Sequence, residues 1–419
     1  ELAVRAGDRL KAIYAHDRAY EYYLYIIEKL EGDPTRVPLW IETHEKLGDL
    51  CAMMGKYEIA DHSYDSLLQE EVRKSLAPAV ISRAWRKKGR LFEIQGDYDT
   101  ALKCYKEART CLAQLNDAGL ADERTRVFNS IGWVYVCMGK YEKAMAISLE
   151  GLRLIQGSAE KIEHAMIYST IGSANYYKGN IGQAIEYHTR SLKIRENLEN
   201  IPEVIASLNN LGSAYLANAD FGEALEQFKR ALASSEEIGD PHGRAMTLHH
   251  FARTHFEVGQ SAKAEEYLRE SLKLSKTYNL RHLNNQNYIL QGVILRERRD
   301  NAKAEGNLFR ALTAYSKQGN RWGLCTVLLE IVEVHRQRRN FSEALSMVEE
   351  AHRYALDLDI DYLKALSLLA KARLLRDAGE RNAEIPLALL QEAAVFAAKV
   401  SNPEVAGRIL AETGEVLVR

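Results

Sequence analysis

Proline is scarce in this chain, and its positions constrain the fold. Only 7 of the 419 residues are proline, and each stands where a helix can begin or two helices can be connected. Because a proline inside a helix costs about 3 kcal/mol, a mostly helical chain is expected to place its prolines in this way. The alternating apolar spacing of strands is absent too. An all-α fold agrees with every proline: Pro34, Pro38, Pro78, Pro202, Pro241, Pro386 and Pro403.

The chain also lacks a charge bias, paired cysteines and long apolar runs. Its 56 basic residues are balanced by 58 acidic ones, whereas nucleic-acid binders are usually basic, so we expect no nucleic-acid partner. None of the five cysteines forms a Cys-x-x-Cys pair, which favours reduced thiols in a cytoplasmic protein. No apolar run is long enough to span a membrane, and the start does not resemble a signal peptide.

Motifs for catalysis, metal binding and cofactor binding are missing as well. Gly55-Lys56 and Gly139-Lys140 lack the Ser/Thr and the preceding strand of a phosphate-binding loop. His249, His250 and His255 include no pair three or four residues apart, the spacing that zinc ligands on one helix need. We therefore predict no catalytic residues, no metal and no cofactor in this segment.

One stretch recurs along the chain at nearly constant spacing. Between Asn209 and Leu232 the sequence predicts a helix, a short turn and a second helix, with Leu211-Gly212 in the first and Ala224 in the second. A fixed period of about 40 residues is typical of stacked helical hairpins, each packing against its neighbours. We predict ten hairpins, whose anchor alanines are Ala19, Ala60, Ala101, Ala144, Ala184, Ala224, Ala264, Ala304, Ala344 and Ala388.

The residues of this frame resemble the tetratricopeptide-repeat family. A glycine within the first helix, an aromatic residue three positions later, and turns such as Gly96-Asp97-Tyr98 are shared with that pattern. The 40-residue period is similar to the long-helix arrays of kinesin light chains and Pins/LGN adaptors. The resemblance implies an all-α, right-handed superhelix whose first helices line a concave groove. It implies one solenoid domain over 1–419, with repeats at about 1–38, 39–77, 78–121, 122–162, 163–201, 202–241, 242–281, 282–321, 322–361 and 362–400 and a capping helix at 402–418.

The periodicity also predicts which side chains face that groove. Steps of three and four residues keep side chains on one helix face, so positions −5, −2, +2 and +5 from each counterpart of Leu211 are expected to point inward. Exposed aromatic residues beside polar groups are the composition of a binding hot spot. The predicted peptide-binding groove consists of Arg86, Arg90, Arg126, Asn129, Trp133, Ser169, Ser173, Tyr176, Asn209, Ser213, His249, Arg253 and Phe256.

Three parts of this surface allow two interpretations each. Three carboxylates of the second repeat share offsets with three arginines of the third, which predicts either an ion-pair ladder or a clamp for an acidic peptide. Trp133 either faces the groove or fills the joint between repeats. An apolar strip, made by Ile289, Val293 and Leu329, either receives an amphipathic helix or is buried by tight coiling.

The function predicted from the sequence is a protein-interaction scaffold that binds a peptide or helix of a partner. The alternative is the sensor arm of a larger signalling ATPase, kinase or transcription regulator, since the chain starts at Glu1 within a helical pattern and we expect it to be a segment of a longer protein. A minor alternative is nucleic-acid binding through the arginines around Arg296–Arg299 and Arg336–Arg339. Positive charge at a helix C-terminus also has a structural reason, because it complements the helix dipole.

Overall fold

The computed structural model describes residues 2–12, 16–30, 36–113, 118–380, 382–400 and 403–418. Within these ranges the regular structure is α-helix with one short 3-10 turn, and no strand occurs. The predicted all-α class is therefore confirmed for the described part of the chain.

Most helices come in pairs joined by short turns, and each pair is one repeat. The single helices are α5 (Glu70–Arg73), between repeats two and three, and α22 (Pro403–Val418), after repeat ten. The ten pairs are α1 (Leu2–Ala12) and α2 (His16–Leu30), α3 (Val37–Met53) and α4 (Tyr57–Leu68), α6 (Pro78–Gln95) and α7 (Tyr98–Ala113), α8 (Ala121–Cys137) and α9 (Tyr141–Leu154), α10 (Ile162–Lys178) and α11 (Ile181–Asn197), α12 (Ile201–Ala217) and α13 (Phe221–Glu237), α14 (Pro241–Glu257) and α15 (Ser261–Thr277), α16 (Arg281–Glu297) and α17 (Asn301–Gln318), α18 (Arg321–Gln337) and α19 (Phe341–Leu358), and α20 (Asp361–Ala378) and α21 (Glu384–Val400).

The chain forms two compact units. Unit 1 comprises Glu1–Val134 and Leu149–Gln156, and unit 2 comprises Tyr135–Ser148 and Gly157–Arg419. The single solenoid domain over 1–419 and the right-handed superhelix stay predictions.

The anchor alanines have one common environment. From Ala19 to Ala344, each of the nine has a solvent exposure of 0%, as equal stacking requires. Repeat ten differs: Ala388 lies on the exposed side of α21, and Pro386 is buried in its place. The predicted anchor Ala388 is therefore wrong by two residues, because the longer connection before α21 shifts the register.

A second regularity links the glycine of each first helix to a bulky side chain of the second. The ring of Tyr64 lies against Gly48 and the ring of Phe228 lies against Gly212. A Cβ at either glycine would come within 3.0 Å of ring carbons, so only glycine lets the ring lie flat on the first helix. Repeat seven has Ala252 and Leu268 in these positions. A larger residue in the first helix is matched by a smaller one in the second.

The turns within the repeats follow the same spacing. Gly96, Gly179 and Gly379 end first helices with positive φ angles, the conformation that glycine adopts without steric cost. Arg299 and Arg339 take the same conformation at φ 61° and 62°, so the turn geometry is kept even where the residue is not glycine.

Candidate functional site

The open face of the first helices in unit 2 is narrower than the periodicity predicts. Ala206 is exposed and Ser213 is partly exposed, in accordance with positions −5 and +2. Asn209, at position −2, has an exposure of only 1%. The reason is that neighbouring first helices lie side by side, so the −2 positions enter the joints between them.

Polar side chains bridge these joints. Thr247 Oγ1 donates a hydrogen bond of 3.0 Å to Asn209 Oδ1, and His249 Nδ1 lies 2.8 Å from Asn287 Oδ1. Burial lowers the pKa of His249 to about 4, and the hydrogen bond with Asn287 opposes that shift. Both Asn209 and His249 are therefore occupied in holding repeats together, and we remove them from the proposed ligand contacts.

His250 lies beside the groove although the sequence analysis did not select it. Its ring stacks on Phe228 at a centroid distance of 5.0 Å and an interplanar angle of 4°. Its Nδ1 lies 3.3 Å from the hydroxyl of Ser213. Burial lowers the pKa of His250 well below its ordinary value, and the neighbouring His249 and Arg253 act in the same direction. His250 occupies position −1, so an inward face drawn at −5, −1 and +2 would have found it.

Two predicted groove residues of different repeats meet in unit 2. Arg253, on α14 of repeat seven, forms a side-chain hydrogen bond with Tyr176, on α10 of repeat five. Arg253 is exposed to solvent and Tyr176 is partly exposed. Phe256, in contrast, packs against the core cluster of Ala252 and Leu268, so its ring stabilises repeat seven instead of facing the groove.

An aromatic cluster lies next to this pair. Tyr177 contacts Tyr176 at a ring-centroid distance of 5.3 Å and stacks on Tyr141 at 6.2 Å. It also meets Trp322 of repeat nine edge to face at 5.3 Å. The indole Nε1 of Trp322 is buried and has no hydrogen-bond acceptor in the described structure. A buried N–H group without an acceptor is unfavourable, so this cluster contains an unused donor.

Unit 2 also brings turns of early repeats against late ones. A Cβ at Gly139 would lie 2.8 Å from Leu358 Cδ2, and a Cβ at Gly179 would lie 3.0 Å from Val400 Cβ. We call these four residues (Gly139, Gly179, Leu358 and Val400) the clasp. The clasp joins the turns of repeats four and five to the ends of α19 and α21. Sequence reasoning missed it because the partners are about 220 positions apart and no repeat motif encodes their meeting.

The remaining small residues of the predicted groove lie on α10. Ser169 is partly exposed, and Ser173 has an exposure of 9%. Small side chains at these positions leave space beside Tyr176. Ser169 therefore stays a predicted contact, whereas Ser173 is mostly covered.

In unit 1 the charged zone is largely an ion-pair ladder. Arg83 Nε donates to Glu45 at 2.6 Å, and Arg86 donates two hydrogen bonds to Glu123 at 2.8 and 3.2 Å. The ladder interpretation holds for Arg86, whose guanidinium is already engaged. Arg126 lies 3.9 Å from the same Glu123 carboxylate. Arg90, Arg126 and Asn129 stay predicted contacts.

Trp133 is held by an internal partner. Buried Glu93 accepts hydrogen bonds from Tyr105 Oη, at 2.7 Å, and from Trp133. Burial raises the pKa of Glu93, while Arg90 and these two hydrogen bonds oppose the shift. The Trp133 side chain is partly buried and its N–H is used, which supports its role as a filler of the joint.

The arginine edges and the apolar strip of unit 2 also find structural partners. Arg298 pairs with Glu265 at 2.5 Å and Arg338 pairs with Glu305 at 2.6 Å. This neutralisation argues against a nucleic-acid stripe. Ile289 and Leu329 pack against core clusters, as expected if the strip is buried by coiling.

Two further searches concern metals and membranes. In the ranges that the structure describes, no group of three or more His, Cys, Asp or Glu side chains is arranged to hold a metal ion. Over the same ranges, no helix has the length and apolar character needed to cross a bilayer. The five cysteines are free thiols.

The chain was compared with known families and structures. The family model described as tetratricopeptide repeat matches residues 163–237 and 203–277. No curated protein sequence matches the chain.

Several solved structures share the fold. A Rap protein complexed with Competence and Sporulation Factor is 16% identical, with a TM-score of 0.61 over 85% of this chain and 98% of that one. The Rap conjugation regulator of plasmid pLS20, in complex with the Phr* peptide, is 14% identical, with a TM-score of 0.55 over 84% and 95%. Aspartyl phosphate phosphatase F from Bacillus subtilis is 14% identical, with a TM-score of 0.54 over 84% and 92%. At these identities the likeness shows a common helical solenoid fold and nothing about activity.

Proposed function

Because the chain belongs to the tetratricopeptide-repeat superfamily, we propose that it is a protein-interaction module whose unit 2 binds a peptide segment of a partner in the groove of its first helices. One observation carries the proposal: aromatic and cationic side chains of repeats four, five, seven and nine converge on one space. They are Tyr141, Tyr176, Tyr177, Arg253 and Trp322.

The chemistry of this convergence suits a peptide. Tyrosine, tryptophan and arginine are the residues that dominate binding energy at protein interfaces. Ala206, Ser169 and Ser213 are small enough to leave the groove floor open. The indole N–H of Trp322 has no acceptor in the described structure, and an extended peptide offers a carbonyl oxygen at every residue. A bound main chain would satisfy this donor.

The comparisons add support of a limited kind. One of the similar structures holds a peptide, Phr*, according to its description. A solenoid of this fold can therefore accommodate such a ligand. The alternative function, a sensor arm of a larger signalling protein, stays a prediction because no contact in unit 2 favours it over a free-standing scaffold.

A binding selection tests the proposal. The full chain is incubated with a displayed library of random dodecapeptides, and affinities of enriched sequences are measured by fluorescence anisotropy. We expect enrichment, and we expect Trp322→Phe to weaken binding about 2- to 10-fold, because one hydrogen bond of ordinary net strength is lost while the ring is kept. The matched control is Trp85→Phe, since Trp85 Nε1 is also buried without an acceptor but belongs to unit 1. No enrichment, or equal losses in both variants, would contradict the proposed groove.

A further inference from the structure

Arg253 differs from other arginines on the first helices of unit 2. Arg296 pairs with Glu330, Arg336 with Glu333 at 2.9 Å, and Arg373 with Glu412 at 2.8 Å. Arg253 forms no ion pair with a carboxylate in the described part of the chain, and its one direct partner there is the Tyr176 hydroxyl. A guanidinium has five N–H donors in a planar fork, so most of its hydrogen-bonding capacity is unused.

The side chain nevertheless lies among protein groups. Besides Tyr176, Arg253 interacts electrostatically with Glu257, one turn further along α14, and with Tyr362 at the start of α20. It also influences Tyr177, the centre of the aromatic cluster. Arg253 is thus exposed to solvent within the groove, next to the aromatic residues of the proposed peptide site.

The charges around Arg253 limit what can bind there. The fork of N–H donors matches a planar oxyanion in two-point contact. The negative field of Glu257 already offsets part of the positive charge, so a doubly charged phosphate is disfavoured relative to a singly charged carboxylate. A carboxylate would bring the local charge close to that of the paired arginines elsewhere on the first helices.

We propose that Arg253 is the carboxylate-binding residue of the groove, with Tyr176 holding its guanidinium in place. The inference rests on the proposed function, because the carboxylate belongs to the bound peptide. That carboxylate comes either from the peptide's C-terminus or from an aspartate or glutamate side chain. Both sources present the same planar group to the guanidinium.

The test uses three random hexapeptide pools and the full chain. The first pool has free C-termini, the second has amidated C-termini, and the third has free C-termini but no aspartate or glutamate. For peptides enriched by the unmodified chain, Arg253→Gln is expected to weaken binding about 10- to 100-fold, as loss of a charge-assisted two-point contact implies. Arg253→Lys keeps the charge but not the fork, so it should recover only part of this loss.

A matched control is Arg269→Gln. Arg269 lies on α15 of the same repeat, is exposed, and has no ion pair in the described residues, so its replacement removes one charge outside the groove. We expect unchanged affinity for this variant. Dependence on the amidated pool identifies a C-terminal carboxylate, and dependence on the third pool identifies an acidic side chain.

Two results overturn the inference in different ways. If the unmodified chain enriches peptides that bind Arg253→Gln equally well and tolerate loss of both kinds of carboxylate, the anion site is wrong while the peptide groove stands. If no pool yields an enriched peptide, the proposed function fails and the carboxylate site fails with it.

Discussion

Replacing Gly212 by alanine is expected to lower the free energy of unfolding by about 1–3 kcal/mol, the usual cost of overpacking a filled core. The added Cβ would lie 2.8 Å from Cδ1 and Cζ of Phe228, a ring with an exposure of 0%. The ring cannot move outward without opening the hairpin, because Phe228 is surrounded by a core cluster that includes Leu216 and Phe251. The midpoint of urea unfolding, followed by circular dichroism, measures the effect.

A second substitution should repair the damage. Repeat seven carries Ala252 and Leu268 in the places of Gly212 and Phe228, so Gly212→Ala combined with Phe228→Leu copies a native pair. We expect the double variant to be more stable than the sum of the two single effects predicts, with a coupling energy of about 1–3 kcal/mol. Gly222→Ala is the control, since a Cβ at Gly222 meets nothing within 4 Å. Strict additivity would contradict the idea that the two positions compensate for each other's size.

Acid sensitivity should be reduced by replacing His188 with phenylalanine. The His188 ring lies against Gly172 as Phe228 lies against Gly212, and its exposure is 2%. Burial lowers the pKa of His188 to about 4, and Arg195 adds to the shift. The unfolded chain, with an ordinary histidine pKa of about 6.5, therefore binds a proton over a range of pH in which the folded chain does not.

The sign of the effect follows from this difference in proton uptake. The stabilising contribution of neutral His188 is complete above pH 6.5 and is lost as the pH falls towards 4, by up to about 3 kcal/mol. His188→Phe removes this loss, and it also removes a buried Nδ1 that has no partner in the described structure.

Thermal unfolding at pH 7, 6 and 5 provides the measurement. We expect the melting temperature of His188→Phe to fall less between pH 7 and pH 5 than that of the unmodified chain. Some decline should persist, because burial also lowers the pKa of His44 and His249 to about 4. The exposed His242 is the control position, and His242→Gln should leave the pH dependence unchanged. Identical pH profiles for the unmodified chain and His188→Phe would show that His188 is not a source of acid sensitivity.

The sequence was sufficient to predict the repeat because its determinants are local. A small anchor residue and a glycine opposite a ring are needed wherever two helices approach closely, and such needs recur in every hairpin. The same reasoning misplaced Ala388, since the connection before α21 departs from the common length. It also fails to explain why repeat four pairs Gly132 with the small Ser148.

The candidate site was predictable only in part. Arg253, Tyr176 and Ser213 follow from helical periodicity, and the structure places all three on the partly or fully exposed side of their helices. Asn209 and His249 were misjudged because burial at position −2 depends on how closely neighbouring first helices approach. Trp322 was missed because it lies at the first turn of α18, outside the predicted inward face. Its contact with Tyr177 depends on the small rotation between successive repeats, which accumulates over four of them and which no single motif specifies.

The central claim is that residues of repeats five, seven and nine form one ligand site in unit 2. Photo-crosslinking tests it most directly: an enriched peptide carrying benzoylphenylalanine is irradiated with the full chain, and the attachment points are mapped by mass spectrometry. We predict attachment to the first helices α10, α14 and α18, close to Tyr176, Arg253 and Trp322. Attachment confined to second helices, or to unit 1, would contradict the claim.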